Sequence, residues 1–295
     1  MTKNKLYGGI EAGGTKFVCA VGSSPENIVS ETRFPTTTPV ETIQQVCDFF
    51  ASYSSQLHGI GLGSFGPVDL DPASSTYGFI TTTPKPHWAN TNILGMLHEK
   101  LNLPIAMDMD VVAAGLGESK WGASKGFDPS LYLTIGTGIG GGYIVNGKPL
   151  RGLVSLEMGH IRIPHDLELD PFRGTCPYHG DCFEGLASGP AIQARFGQLA
   201  ETLSDSDLFW EIEADYIAHA LANYIFTLSP RMIILGGGVM QNASLFAKIR
   251  QKVQKILNGY LHNELLLNNI EQYIVPPGLE NRAGIFGAIA LAFDL

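Results

Sequence analysis

Two stretches far apart in this chain read the same way. Gly8-Gly9-Ile10-Glu11-Ala12-Gly13-Gly14-Thr15 and Leu133-Thr134-Ile135-Gly136-Thr137-Gly138-Ile139-Gly140 are each a β-rich run, a glycine turn and a second β-rich run. An imperfect internal repeat of this kind confines the fold to two similar lobes, each presenting a glycine turn to a cleft between them. A third glycine run, Gly236-Gly237-Gly238, follows the apolar segment Met232 to Leu235 directly. Glycine makes up 35 of the 295 residues, about 12% where ~7% is typical, and twelve of the 35 lie in or beside these three turns.

Between the glycine turns, period-2 and period-3.6 patterns alternate. Leu6 to Ile10, Phe17 to Val21 and Ile28 to Phe34 predict a three-stranded meander. Val40 to Tyr53 predicts a helix, Ile60 to Leu62 a buried strand, Ile93 to Leu101 a helix, Ile105 to Met109 a strand and Val111 to Trp121 a helix. The pattern restarts with Leu131 to Ile135 and Gly142 to Val145, then helices, then the strand Met232 to Leu235. The class is α/β. The expected division is a first lobe at 1–118, a second lobe at 119–281 carrying a Cys/His-rich loop, and a terminal helix at 282–295 that returns to the first lobe.

The formal charge is −9, from 19 Lys+Arg against 28 Asp+Glu, with no basic run, and no helix-turn-helix pattern precedes the first strand. Nucleic acid is therefore not an expected partner. The N-terminus lacks a signal-peptide apolar core, and the longest apolar region, Ile217 to Val239, is interrupted by His219, Asn223, Pro230 and Arg231. No membrane association is expected. Four cysteines at 19, 47, 176 and 182 do not make a disulfide framework and fit a reducing, cytoplasmic setting.

A strand-to-strand turn without Cβ atoms lets several backbone N–H groups approach phosphate oxygens, which suits a polyphosphate on an acidic protein poor in lysine. Gly13, Gly14, Thr15 and Lys16 form one candidate phosphate turn; Thr134, Gly136, Thr137 and Gly138 form a second; Gly236, Gly237 and Gly238 offer a third. Ordinary hairpin glycine is the competing reading of the first two, and a tight strand-to-helix turn that of the third. Glu11, at a strand end among glycines, suits an outer-sphere role towards Mg²⁺, an ion that keeps several waters.

The strand Ile105 to Met109 ends in two carboxylates, Asp108 and Asp110. Asp110 at a strand-to-helix junction suits either a helix N-cap or a general base that accepts a hydroxyl proton during phosphoryl transfer. Asp108, two residues earlier and expected on the same strand face, is the alternative base.

His160, Cys176, His179 and Cys182 give the sharpest chemical signal. A Cys-x-x-His-x-x-Cys run in a Pro/Gly-rich loop, with a fourth nitrogen donor upstream, suits tetrahedral Zn²⁺ with no open position, hence a structural site. The metal is expected to order Asp166 to Glu184 in place of a hydrophobic core. Glu157 and Glu184 flank this loop, and paired carboxylates are good acceptors for sugar hydroxyls.

With these residues assembled, the chain resembles the ROK family of sugar kinases, in particular its bacterial fructokinase branch. The resemblance rests on Gly9 to Lys16, Gly63-Ser64-Phe65-Gly66-Pro67, Asp110 to Glu118, Gly136 to Gly141, Glu157-Met158-Gly159-His160, Cys176 to Glu184 and Leu235 to Val239. It implies an actin-like (ribonuclease H-like) ATPase fold, ATP with Mg²⁺, structural Zn²⁺, a homodimer, and transfer of the γ-phosphoryl to a hexose. By motif, Asp110 would be the base; Gly66, Glu157, His160 and Glu184 would line the sugar site, His160 also binding zinc; Pro190 and Gly236 to Gly238 would belong to the adenine pocket. Many glucokinases of the family carry Asn before the catalytic Asp and Asp at the place of Glu11. Here Met109 cannot hydrogen-bond a sugar, which with Thr83-Pro84-Lys85 and Trp88 favours fructose over glucose. Mannose, another hexose or hexosamine, and a non-catalytic sugar sensor are the alternatives.

Overall fold

The computed structural model describes residues 5–203 and 209–295. They form two compact units. The first takes the described residues up to Lys125, then Gly147–Ser155 and Gly278–Leu295; the second takes Gly126–Asn146 and Leu156–Pro277. The first unit thus runs seven residues past the boundary expected at 118, and it includes a nine-residue excursion, 147–155, that sequence periodicity does not mark.

In the first unit, β1 (Leu6–Ala12), β2 (Lys16–Ser24) and β3 (Asn27–Pro35) form the meander, followed by α1 (Pro39–Ala51), β4 (Leu57–Ser64), α2 (Ile93–Leu101), β5 (Ile105–Met109) and α3 (Asp110–Trp121). The sheet order is β3-β2-β1-β4-β5, antiparallel through the meander and parallel from β1 to β4 to β5. α1 starts where Thr38 accepts the Glu41 N–H with Pro39 in the first turn, and it buries Ile43, Val46, Cys47 and Phe50, one stripe at helical spacing. The unit also contains a two-residue strand, β8 (Lys148–Pro149), and the C-terminal helix α9 (Ala283–Leu291).

α9 returns onto β1, β4 and α3 through glycine. A methyl group at Gly61 would overlap the Ala288 carbonyl, and one at Gly287 would overlap the Ala113 carbonyl. Much of the glycine outside the turns therefore serves backbone-to-backbone packing, which dispersion rewards only at this close approach. Glu118, fully buried at the end of α3, accepts N–H groups from Ala123, Gly278 and Leu279 at 2.7–2.9 Å and so fastens α3 to the segment entering α9.

The second unit repeats the plan, and the second sheet likewise has five strands, with β8 at its edge. β6 (Ser130–Ile135) pairs antiparallel with β7 (Ile139–Val145) and parallel with β9 (Met232–Gly236), which pairs parallel with β10 (Ile274–Val275). β7 begins at Ile139, three residues earlier than the glycines alone suggested, because Gly140 to Gly142 pair in register with β6. Its helices are α4 (Phe183–Ala187), α5 (Gly189–Phe196), α6 (Phe209–Leu228), α7 (Ser244–Leu257) and α8 (Glu264–Leu267). A separate apolar core fills each unit; Phe17, Phe50, Ile60 and Leu62 are in the first, and Leu133, Phe183, Trp210 and Ile233 in the second. Among the described residues no helix is long and apolar enough to cross a membrane.

Candidate functional site

In the first unit, Glu11 on β1 and Asp108 on β5 are both in register with Gly63 on β4, so the three form one row on one face of the sheet. The bare position at Gly63 admits the start of α3: a Cβ there would lie 2.8 Å from the Ala113 methyl and 3.5 Å from the Asp110 Cα. β5 ends at Met109 and α3 begins at Asp110. The strand alternation expected to put Asp108 and Asp110 on one face therefore does not apply, and their surroundings differ.

Asp110 is not the N-cap. Met109 holds that position and contributes no side-chain bond, while Asp110 Oδ1 accepts the adjacent Val111 N–H at 2.8 Å. Desolvation pushes the Asp110 carboxyl up to about 7, with the nearby Glu11 carboxyl adding to the rise. Asp108 instead has Oδ1 on its neighbour's N–H at Met109 and Oδ2 on the Arg151 guanidinium at 2.7 Å; burial raises its carboxyl pKa against the pull of Arg151. Glu11 is tucked against the first turn of α9, where Gly284 leaves it room and Ile285 donates a backbone N–H. Burial raises its pKa, and Lys16 and Arg33 oppose that rise.

The first glycine turn is closed by the Gly13 N–H on the Lys16 carbonyl at 3.0 Å and by Thr36 Oγ1 on the Gly13 carbonyl at 2.6 Å. Gly13 is needed for this closure, since a Cβ would lie 2.8 Å from the Lys16 carbonyl oxygen. Gly14 has nothing within 4 Å of its Cβ direction, and Thr15 and Lys16 are exposed. Gly66 lies beside Met109, whose methyl is 3.6 Å from where its Cβ would be.

In the second unit the other two glycine turns meet. Gly136 donates to the Gly138 carbonyl at 2.9 Å, and its own carbonyl accepts the N–H of Gly189, the first residue of α5, at 2.7 Å. Gly237, at φ +96°, lies against the Ile135 backbone, and the Gly238 nitrogen is 3.6 Å from the Cβ direction of Gly136. Gly136, Gly138, Pro190, Gly237 and Gly238 thus gather around one helix start. Thr134 and Gly236 are paired across β6 and β9, and Thr137 is exposed at the turn.

Beside this cluster lies the second carboxylate pair. Glu184 Oε2 accepts the Ile139 N–H at 2.8 Å. The carboxyl pKa of Glu157 is raised by partial desolvation and by Glu184, and lowered by His160. Glu157, His160 and Glu184 therefore belong to one electrostatic group.

His160, Cys176, His179 and Cys182 offer donor atoms that all lie within 4.8 Å of one another. Cys176 Sγ is 3.8 Å from His160 Nδ1 and 3.6 Å from His179 Nδ1, and Cys182 Sγ is 3.5 Å from His160 Nδ1. Zinc–sulfur and zinc–nitrogen bonds of ordinary length at a tetrahedral centre place sulfur and nitrogen about 3.6 Å apart. The donor set therefore fits Zn²⁺ in both type and spacing. Facing the thiols with Nδ1, His160 leaves Nε2 for a second partner.

The loop has more support than metal alone, contrary to the expectation that zinc stands in for a core there. Arg195, on α5, pairs with Asp170 at 3.1 Å, donates to the Leu186 carbonyl at 2.9 Å and stacks on Phe172, while Tyr216 Oη donates to Asp170 Oδ2 at 2.5 Å. His165 bridges the Asp170 carbonyl and the Asp181 carboxylate. Neither this network nor Arg151 is legible in the sequence, because charged partners distant along the chain carry no local pattern.

The match to known proteins is of full length. The ROK family profile matches residues 7–294. A fructokinase from Lactococcus lactis subsp. cremoris is 46% identical over 98% of this chain and 97% of its own, and one from Pediococcus pentosaceus is 44% identical over 97% of each. The crystal structure of a ROK family glucokinase from Streptomyces griseus, in complex with glucose and AMPPNP, superposes with a TM-score of 0.75 at 25% identity, covering 98% of this chain and all of that one. The actin-like ATPase fold of these sugar kinases is the fold seen here. With its repeated strand-turn-strand halves and a match spanning nearly every residue, the chain belongs to the ROK family.

Proposed function

We propose that this protein is an ATP-dependent fructokinase that converts D-fructose to D-fructose 6-phosphate. One observation within the site supports it most directly: Asp110 is a carboxyl free of capping duty, pushed up to about 7 by desolvation. A base with that affinity for a proton is about half ionised at neutral pH and strong enough to accept a hydroxyl proton as it is lost. The relatives named fructokinase, at 44–46% identity over almost the entire chain, support the choice of sugar.

Asp110 takes the proton of the fructose 6-hydroxyl, the oxygen attacks the γ-phosphorus of ATP in line, and ADP leaves. Glu157, Glu184 and His160 Nε2 accept from or donate to other sugar hydroxyls, with Gly66 close to the reacting end. Gly13 and Gly136, whose own N–H groups close their turns, shape the two loops, and the backbone N–H groups at Gly14 and Gly138, with Thr15, Lys16, Thr134 and Thr137, receive phosphate charge, while Pro190 with Gly236, Gly237 and Gly238 borders the adenine. Bound Mg²⁺ supplies charge neutralisation on the polyphosphate; Glu11, already tied to α9, suits a water-mediated contact with it. Zn²⁺ held by His160, Cys176, His179 and Cys182 supplies rigidity and no open coordination position. The homodimer is carried over from the resemblance, and the cytoplasmic location from the cysteine usage.

An ADP-release assay across fructose, mannose, glucose and N-acetylmannosamine tests the reading. A kcat/KM highest for fructose is expected; a higher value for mannose reassigns the substrate, and no turnover with any sugar removes the enzyme assignment.

A further inference from the structure

Asp108 and Arg151 have no part in the chemistry just described, yet their pairing takes a carboxylate out of water. The Asp108 side chain is only 4% exposed, on the strand that delivers Asp110 two residues later. A buried carboxylate needs a partner. Arg151 supplies it at 2.7 Å, from a side chain that is itself half exposed.

The position of Arg151 in the chain gives the contact its significance. The polypeptide leaves the second unit after Asn146, runs with the first unit from Gly147 to Ser155, and rejoins the second unit at Leu156, one residue before Glu157. Arg151 lies at the centre of this excursion. Apolar burial does not hold the segment down: Leu150 is 42% exposed, Val154 72% and Leu153 98%. A charge-assisted bond to a buried carboxylate is directional where loose apolar contact is not, and it holds the segment in one register.

We propose that the Arg151–Asp108 ion pair is a lock that fixes the path of residues 147–155 against the strand bearing Asp110, so that Arg151 and Asp108 are positioning residues for the sugar. This rests on the reading above, in which Asp110 and Glu157 serve one substrate. The route is covalent and short: Asp108 is two residues from Asp110, and Arg151 is six from Glu157. Losing the lock frees the segment that leads into Glu157 and the strand end that leads into Asp110, while the phosphate turns, made of other segments, keep their shape. The signature is therefore selective, with fructose binding impaired and ATP binding spared.

The test uses the full-length, zinc-loaded protein as wild type, Arg151→Met, Asp108→Asn, the double variant and Arg151→Lys. Hydrogen exchange is read over 147–157, alongside KM for fructose and for ATP. The lock predicts at least tenfold faster exchange in that segment for Arg151→Met. It also predicts a fructose KM raised about tenfold with the ATP KM within twofold, a double variant no worse than the worse single one, and partial recovery in Arg151→Lys. Unchanged exchange in Arg151→Met overturns the lock outright. Faster exchange with unchanged fructose KM, or with fructose and ATP KM rising together, overturns the positioning role. If wild type itself fails to phosphorylate fructose, the substrate reading falls separately, and the exchange result alone supports or overturns the lock.

Discussion

Glu184 Oε2 accepts the backbone N–H of Ile139 at 2.8 Å, joining the helix that follows the Cys/His loop to the far side of the second glycine turn. One carboxylate oxygen is thereby committed to the turn, and a Cβ on Gly138 would lie 2.9 Å from it. Glu184 therefore braces the second glycine turn with one oxygen, and in the proposed function the other oxygen serves the sugar. Glu184→Gln keeps an acceptor for Ile139 and loses the charge, so the fructose KM rises about tenfold with little change for ATP. Glu184→Ala loses both functions and raises both KM values. Steady-state kinetics with each substrate varied in turn separates the two outcomes.

Asp110→Asn lowers kcat by a factor of about 10²–10⁴, the usual worth of a positioned base, with zinc content unchanged. In the wild type, kcat/KM falls as pH drops below about 7, tenfold per unit, because the protonated carboxyl cannot accept the hydroxyl proton. The same raised pKa fixes a stability trend. The folded state binds this proton more tightly than the unfolded chain, so the desolvation penalty is absent near pH 4, grows towards 7 and is full above it. Asp110→Asn therefore raises Tm at pH 8 and leaves it unchanged at pH 4, read by scanning calorimetry at the two values.

Zinc is expected at one ion per chain. Its removal by chelator, or Cys176→Ser, should speed hydrogen exchange sharply across 173–182. Residues 161–172 should change less, since Asp170, Arg195 and Tyr216 hold them without metal. Fructose phosphorylation should fall with the metal, because His160 belongs to both groups. Uniform loosening of 161–182 would assign the whole loop to zinc.

Two glycines give opposite expectations. Gly237 has φ +96° and faces the Ile135 backbone, so Gly237→Ala should cost about 2 kcal/mol or more and lower Tm clearly. Gly14 has open space around it, so Gly14→Ala should leave Tm within about a degree and yet raise the ATP KM several-fold, by placing a methyl group where phosphate is to approach. A Gly14→Ala protein with unaltered ATP KM would remove the first turn from the nucleotide site.

Neighbouring residues alone carry the layer pattern, the repeated strand-turn-strand halves and the four Cys/His side chains that cluster. Each of these is local: alternation, helical periodicity, a glycine run and a Cys-x-x-His-x-x-Cys spacing are all written in neighbouring residues. Even the strand Ile105–Met109 and the helix Ile93–Leu101 fall on their expected ends. The choice between Asp108 and Asp110 was not local. Two residues apart and alike in chemistry, they differ in their surroundings only because tertiary packing puts Arg151 against one and desolvates the other beside Glu11. The same holds for Glu184 bracing Ile139, for Arg195 under the metal loop, and for the 147–155 excursion. In each case the deciding term is the electrostatic cost of burying a charge, and that cost depends on which distant group the fold brings within hydrogen-bonding distance.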